Sequence, residues 1–111
     1  MKEDFIFYKL IDVIESRKKS LPEKSYVASL FKKGTEKINS KILEEADEVC
    51  RASLENDKNH LIYEICDLLF HIFVLSSYKE INLDEIGIEL ERRFGKSGLV
   101  EKQGRKNIGN E

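Results

Sequence analysis

Proline is nearly absent: Pro22 stands alone in 111 residues. Helices along this chain therefore meet few internal breaks. Tryptophan is missing, and there are two cysteines, Cys50 and Cys66. So few cysteines argue against a disulfide framework. Both fall on the apolar face of expected helices and read as reduced core thiols, which points to a cytoplasmic location. Strong charge of one sign is missing too. The net charge of -2 sets up no global field to draw nucleic acid. No apolar run approaches the roughly 20 residues of a membrane span. The opening stretch, MKEDFIFYKLIDVIESRKK, is too charged for a signal peptide. Neither nucleic acid nor a membrane is expected as a partner.

What is present suits a helical protein. Hydrophobic residues make up 41% and charged residues 36%, a balance that argues for a folded chain over a disordered one. One domain over residues 1–111 is expected. A chain this short buries a limited core, so self-association is expected before any motif is read.

Five helices fit the periodicity. Phe5, Ile6, Leu10, Val13 and Ile14 recur at helical spacing over 3–16. Ser20 is placed to cap a second helix with Pro22 in its first turn, ending at Gly34 in an αL cap. Thr35 is placed to cap a third helix reaching about Leu54. Asn56 or Asp57 caps a fourth from about 58 to 79. Asn82 caps a fifth, LDEIGIELERRF, closed by Gly95. No stretch alternates with period two, so the fold class is all-α. The residues from about 96 onward are polar and glycine-rich and read as a flexible basic tail.

The fourth helix is the most informative. Of the fifteen residues LIYEICDLLFHIFVL (61–75), twelve are apolar or aromatic. The exceptions, Glu64, Asp67 and His71, share one wedge of roughly 60° on the helical wheel. A helix apolar on nearly all sides is buried on nearly all sides. Two neighbouring carboxylates there need a compensating cation or a proton, because a lone buried charge costs several kcal/mol. The third helix offers more. Glu45 borders its apolar stripe of Ile38, Ile42, Ala46, Val49 and Cys50, with Glu48 and Lys41 just beyond and Glu44 further round. Taken alone, those glutamates read as a solvated face. If the two helices pack antiparallel, Glu45, Glu48, Glu64 and Asp67 converge. Four hard oxygen donors without cysteine favour magnesium, calcium or manganese over zinc. Magnesium suits an open cluster completed by phosphates. A di-iron bundle wants Glu-x-x-His on two helices, and the histidines here are wrongly spaced.

EEADE (44–48), fifteen intervening residues and EICD (64–67) resemble the EExxE…ExxD signature of the MazG-type all-α nucleotide pyrophosphohydrolases. SYVASLFKKGTEKINSKILEEADEV (25–49), YEICDLLFHIFVLSS (63–77) and LDEIGIELERRFGKSGLVEKQGRK (83–106) resemble stretches of one branch, the phosphoribosyl-ATP pyrophosphatases. Phe94 stands where that branch commonly has histidine, and Val27 where it has threonine. The resemblance implies hydrolysis of phosphoribosyl-ATP to phosphoribosyl-AMP and pyrophosphate, the second step of histidine biosynthesis, in a stand-alone form without the cyclohydrolase.

In that reaction magnesium is expected on Glu45, Glu48, Glu64 and Asp67. Glu44 is the candidate to orient or deprotonate the attacking water, and Glu44 and Glu48 could exchange parts. Lys41 either contacts phosphate or pairs with Glu45. His71 reads as a hydrogen-bonded support of the ligands or as a proton carrier. Lys33 and Gly34 match the family's KG, either near phosphate or as a helix stop. Arg93, Lys96, Ser97, Lys102 and Arg105 lie in the matching C-terminal stretch, which reads either as a solvated tail or as a phosphate grip. The almost wholly apolar fourth helix calls for a second copy, giving a four-helix core completed by dimerisation. The rival readings are a house-cleaning nucleoside triphosphate pyrophosphohydrolase and a non-catalytic helical interaction module.

Overall fold

A computed structural model describes residues 5–94. The chain falls into two units, residues 1–81 and 82–111. Among the described residues every regular element is helical, as the missing period-two alternation requires.

In the first unit, α1 spans Ile6–Arg17 and α2 spans Tyr26–Lys33. Pro22 does not sit inside a continuous second helix. It opens a single 3-10 turn, Pro22–Lys24, and Ser25 then breaks the path in extended conformation. Ser25 is the true cap of α2, its Oγ accepting from Ala28 N–H at 3.1 Å. The sequence expectation missed this because Ser20 and Ser25 both precede helix-forming residues, and Pro22 suits the first turn of the earlier start.

α3 spans Thr35–Ala52, so Thr35 is its first helical residue and not its cap. Gly34 stands between α2 and α3 with φ 86° and ψ -169°. That region is essentially reserved for glycine and differs from the expected αL cap. Gly34 N–H still closes α2 onto Leu30 O at 2.9 Å. A methyl group added at Gly34 would meet Tyr78 Oη at 3.3 Å. Gly34→Ala is therefore expected to cost about 1–3 kcal/mol from backbone strain, read as a lower urea midpoint at unchanged slope.

α4 spans Lys58–Tyr78 and is capped by Asp57, whose carboxylate accepts from His60 N–H. α3 and α4 form the most extensive helix pair. Three points show that they fold back on each other: the start of α3 lies by Tyr78, Glu45 meets Glu64 and Asp67, and Glu55, after α3, pairs with His60 in the first turn of α4. α1 packs on α4, and α2 packs on α3 and α1. The core takes one fully buried aliphatic side chain from each helix: Ile14, Leu30, Ile38 and Val74. Each stabilises by roughly 1.5–3 kcal/mol. Phe7 meets Phe73 edge to face, and Phe31 meets Tyr78 likewise. Ser77, buried on α4, donates to Glu15 of α1.

By length and composition α4 could cross a membrane, contrary to the sequence expectation. In this fold it is instead the helix against which α1 and α3 pack. Its burial is one-sided: Ile62, Tyr63 and Ile65 are exposed in the single chain, as are Leu43 and Leu54 after the same fashion around α3. Cys50 and Cys66 are also exposed and unbridged, which corrects their reading as core thiols.

In the second unit, α5 spans Leu83–Phe94. Asn82 and Glu85 cap it reciprocally: Glu85 N–H donates to Asn82 Oδ1 at 2.9 Å, and Asn82 N–H to Glu85 Oε2 at 2.8 Å. Gly95 lies outside the described residues.

Candidate metal centre

Glu45 comes from the middle of α3, and Glu64 and Asp67 from successive turns of α4. One carboxylate oxygen from each lies within 4.8 Å of the others. Glu45 is 9% exposed and Glu64 7% exposed. Burial pushes the Glu45 carboxyl above its ordinary range, and Asp67 adds repulsion, partly offset by Lys41. Hard oxygen donors converging in a largely desolvated place fit a divalent cation of the magnesium or calcium type. Glu48 is exposed and is not one of the three that converge.

The sign of the Glu45 shift sets a test. A carboxyl raised in the folded state disfavours folding once pH exceeds its folded value, and this cost is absent below its unfolded value of 4.5. Without added cation, Glu45→Gln is expected to raise Tm by a few degrees at neutral pH. The gain should shrink as pH falls below about 4.5, followed by thermal melts across that range.

Around the cluster, Lys41 Nζ lies 3.1 Å from Glu44 Oε1 and 3.7 Å from Glu45 Oε1. The bond to Glu44 holds the Lys41 ammonium above its ordinary range. Of the two sequence readings of Lys41, the pairing with Glu45 is present. Glu44 itself stays exposed.

His71 is buried. Its Nδ1 lies 2.8 Å from the Asp67 carbonyl oxygen, which only accepts, so Nδ1–H donates. In the neutral ring Nε2 then accepts from Tyr26 Oη at 2.8 Å. This is a supporting position, tied to the turn that carries Asp67.

Two residues escaped the sequence reading. Tyr26 brings α2 to the site through His71 and stacks on Phe70. Burial raises its phenol, Lys41 opposes the shift, and Glu45, Glu44 and Asp67 add to it. Nothing in the helical pattern marks Tyr26, because its partner lies 45 residues away. His60 bridges Glu55 and Glu64, at 2.7 Å and 3.1 Å. The hydrogen bond to Glu55 is the main cause raising its imidazole above the ordinary value, with Glu64 adding. Its i,i+4 spacing to Glu64 was a readable signal.

The remaining sequence candidates are not among the three converging carboxylates. Lys33 ends α2, exposed. Arg93 on α5 donates to Glu89 at 3.0 Å, as does Arg92 at 2.8 Å, and the two guanidiniums hold the Glu89 carboxyl down at about 2. Lys96, Ser97, Lys102 and Arg105, with the basic tail from about 96, lie outside the described residues.

The sequence is similar to known proteins along most of its length. The family described as phosphoribosyl-ATP pyrophosphohydrolase matches residues 7–94, which includes the three converging carboxylates. The phosphoribosyl-ATP pyrophosphatase of Vesicomyosocius okutanii is 48% identical, over 94% of this chain and 99% of its own. That of Ruthia magnifica is 47% identical over 92% and 97%. That of Neisseria meningitidis serogroup B is 42% identical over 92% and 95%. With the match running through the site and along nearly the whole length of both partners, this chain belongs to the phosphoribosyl-ATP pyrophosphohydrolase family.

Proposed function

We propose that the protein hydrolyses phosphoribosyl-ATP to phosphoribosyl-AMP and pyrophosphate, the second step of histidine biosynthesis, with magnesium held by Glu45, Glu64 and Asp67. The observation that carries the proposal is the meeting of three carboxylate oxygens within 4.8 Å on two packed helices. Bound magnesium supplies charge neutralisation on the phosphate oxygens. Water forms a new bond to the α-phosphorus, the α–β bridge breaks, and pyrophosphate leaves with the bridging oxygen. Glu44 and Glu48, both exposed on α3, are the groups for orienting the water and taking its proton. Glu48 is also the reserve fourth ligand, one turn beyond Glu45. His71, fixed between Tyr26 and the Asp67 carbonyl, keeps α2 and the ligand-bearing turn of α4 in one arrangement. Lys33, Lys41, Arg93, Lys96, Ser97, Lys102 and Arg105 are the proposed phosphate contacts. For Lys41 and Arg93 this means exchanging the present carboxylate partners for phosphate.

A homodimer in the cytoplasm completes the proposal, and no nucleic acid or membrane is involved. Ile62, Tyr63 and Ile65 on α4, with Leu43 and Leu54 on and after α3, are large apolar side chains left exposed in the single chain, and a second copy is the proposed cover. On the wheel of α4, Ile62 and Ile65 lie at least about 100° from Glu64, so a second copy can seat there without closing the carboxylates off. Free Cys50 and Cys66 suit a reducing compartment.

Presenting phosphoribosyl-ATP and ordinary nucleoside triphosphates in parallel tests the substrate. The expected outcome is a clear kcat/KM preference for phosphoribosyl-ATP. Equal or better turnover of ordinary triphosphates would select the house-cleaning reading.

A further inference from the structure

We infer that His60 is a positioning residue for Glu64, holding that carboxylate in the orientation a bound divalent cation requires. The inference rests on the cation reading above. His60 sits in the first turn of α4, one turn before Glu64. Its Nε2 lies 3.1 Å from Glu64 Oε2, and its Nδ1 lies 2.7 Å from Glu55 Oε1. Carboxylate oxygens only accept, so a ring nitrogen bonded to one donates, and both do so in the protonated ring. The backbone N–H of His60 donates in turn to Asp57 Oδ1 at 3.1 Å. The residue is thus tied at three points between the α3–α4 connection and the carboxylate cluster.

Glu64 gains a fixed partner on Oε2, while its carboxylate still offers an oxygen to the cluster. A free glutamate would lose rotamer entropy on binding, and this brace removes part of that loss beforehand. In the protonated ring the charge acts the other way, because a cation beside the cluster repels a second one. Glu55 is its nearer partner and offsets that charge, and the His60 side chain is 39% exposed, so water screens what remains. Orientation therefore outweighs repulsion. No other histidine does this: His71 spends its ring on Tyr26 and a backbone carbonyl.

Manganese binding to the full chain, followed by calorimetry without substrate, tests the inference independently of turnover. His60→Ala is expected to weaken binding about 10-fold, the low end for partners that orient a ligand. His60→Gln, whose amide N–H can reach Glu64, is expected to recover most of that loss. Unchanged Tm of both variants without metal would show that the fold is not the cause. Unchanged or tighter binding by His60→Ala overturns the inference, and so does a His60→Gln that binds as weakly as His60→Ala. Asp67→Asn separates the two claims. If it loses manganese while His60→Ala does not, only the role of His60 falls. If it also binds like the parent, the cation reading falls with it.

Discussion

Glu64→Gln and Asp67→Asn will each slow pyrophosphate release by more than about 100-fold, since even residues that merely orient metal ligands contribute 10–100-fold. Both substitutions keep the side-chain shape and remove one charge from a cluster whose members repel. Glu64 is 7% exposed and converges with Glu45 and Asp67, a set of hard oxygen donors suited to a divalent cation. The fold should survive, because the apolar contacts of α4 run through Phe73 and Val74, not through the carboxylates. Circular dichroism checks the fold, and turnover at low and high magnesium checks the role. Near-normal rates in both variants at low magnesium would remove these residues from the ligand set.

Ile65→Glu will convert the proposed dimer to monomers at micromolar concentration. Ile65 is 40% exposed in the single chain and lies beside Ile62, at 48%. If a second copy covers this face, the substitution buries an unpaired carboxylate at a cost of several kcal/mol. About 3 kcal/mol is already about 100-fold in the dissociation constant. A core shared between copies is obligate in character, so the separated chain should also melt earlier. Light scattering and thermal melts read both effects. A parent chain that is already a stable, active monomer would refute the shared core.

Much of this molecule was readable in the residue pattern. Glu64 and Asp67 stood out because twelve apolar neighbours surround them and His71 on α4, and an amphipathic pattern is most legible where it is violated. Glu45 followed from its place at the edge of the α3 stripe. Glu48, one turn on, looked equivalent by spacing, yet it is exposed while Glu45 is buried. A wheel gives azimuth and not the depth of the facing helix. The cysteines failed for a related reason. Cys50 and Cys66 lie on apolar sides of α3 and α4, but in the single chain those sides face outward. Ser25, whose cap bond to Ala28 is local, was passed over because Pro22 suits the first turn of a helix starting at Ser20. Tyr26 depends on a contact with His71 across 45 positions, which no local periodicity encodes.

Phosphoribosyl-ATP is expected to be cut at a magnesium-loaded carboxylate cluster. Phosphorus NMR of phosphoribosyl-ATP with the purified chain reads the products directly, with magnesium and then with excess chelator. Phosphoribosyl-AMP and pyrophosphate are expected in equal amounts with magnesium, and essentially no conversion with chelator. Orthophosphate as the sole inorganic product, or an undiminished rate in chelator, would contradict this expectation.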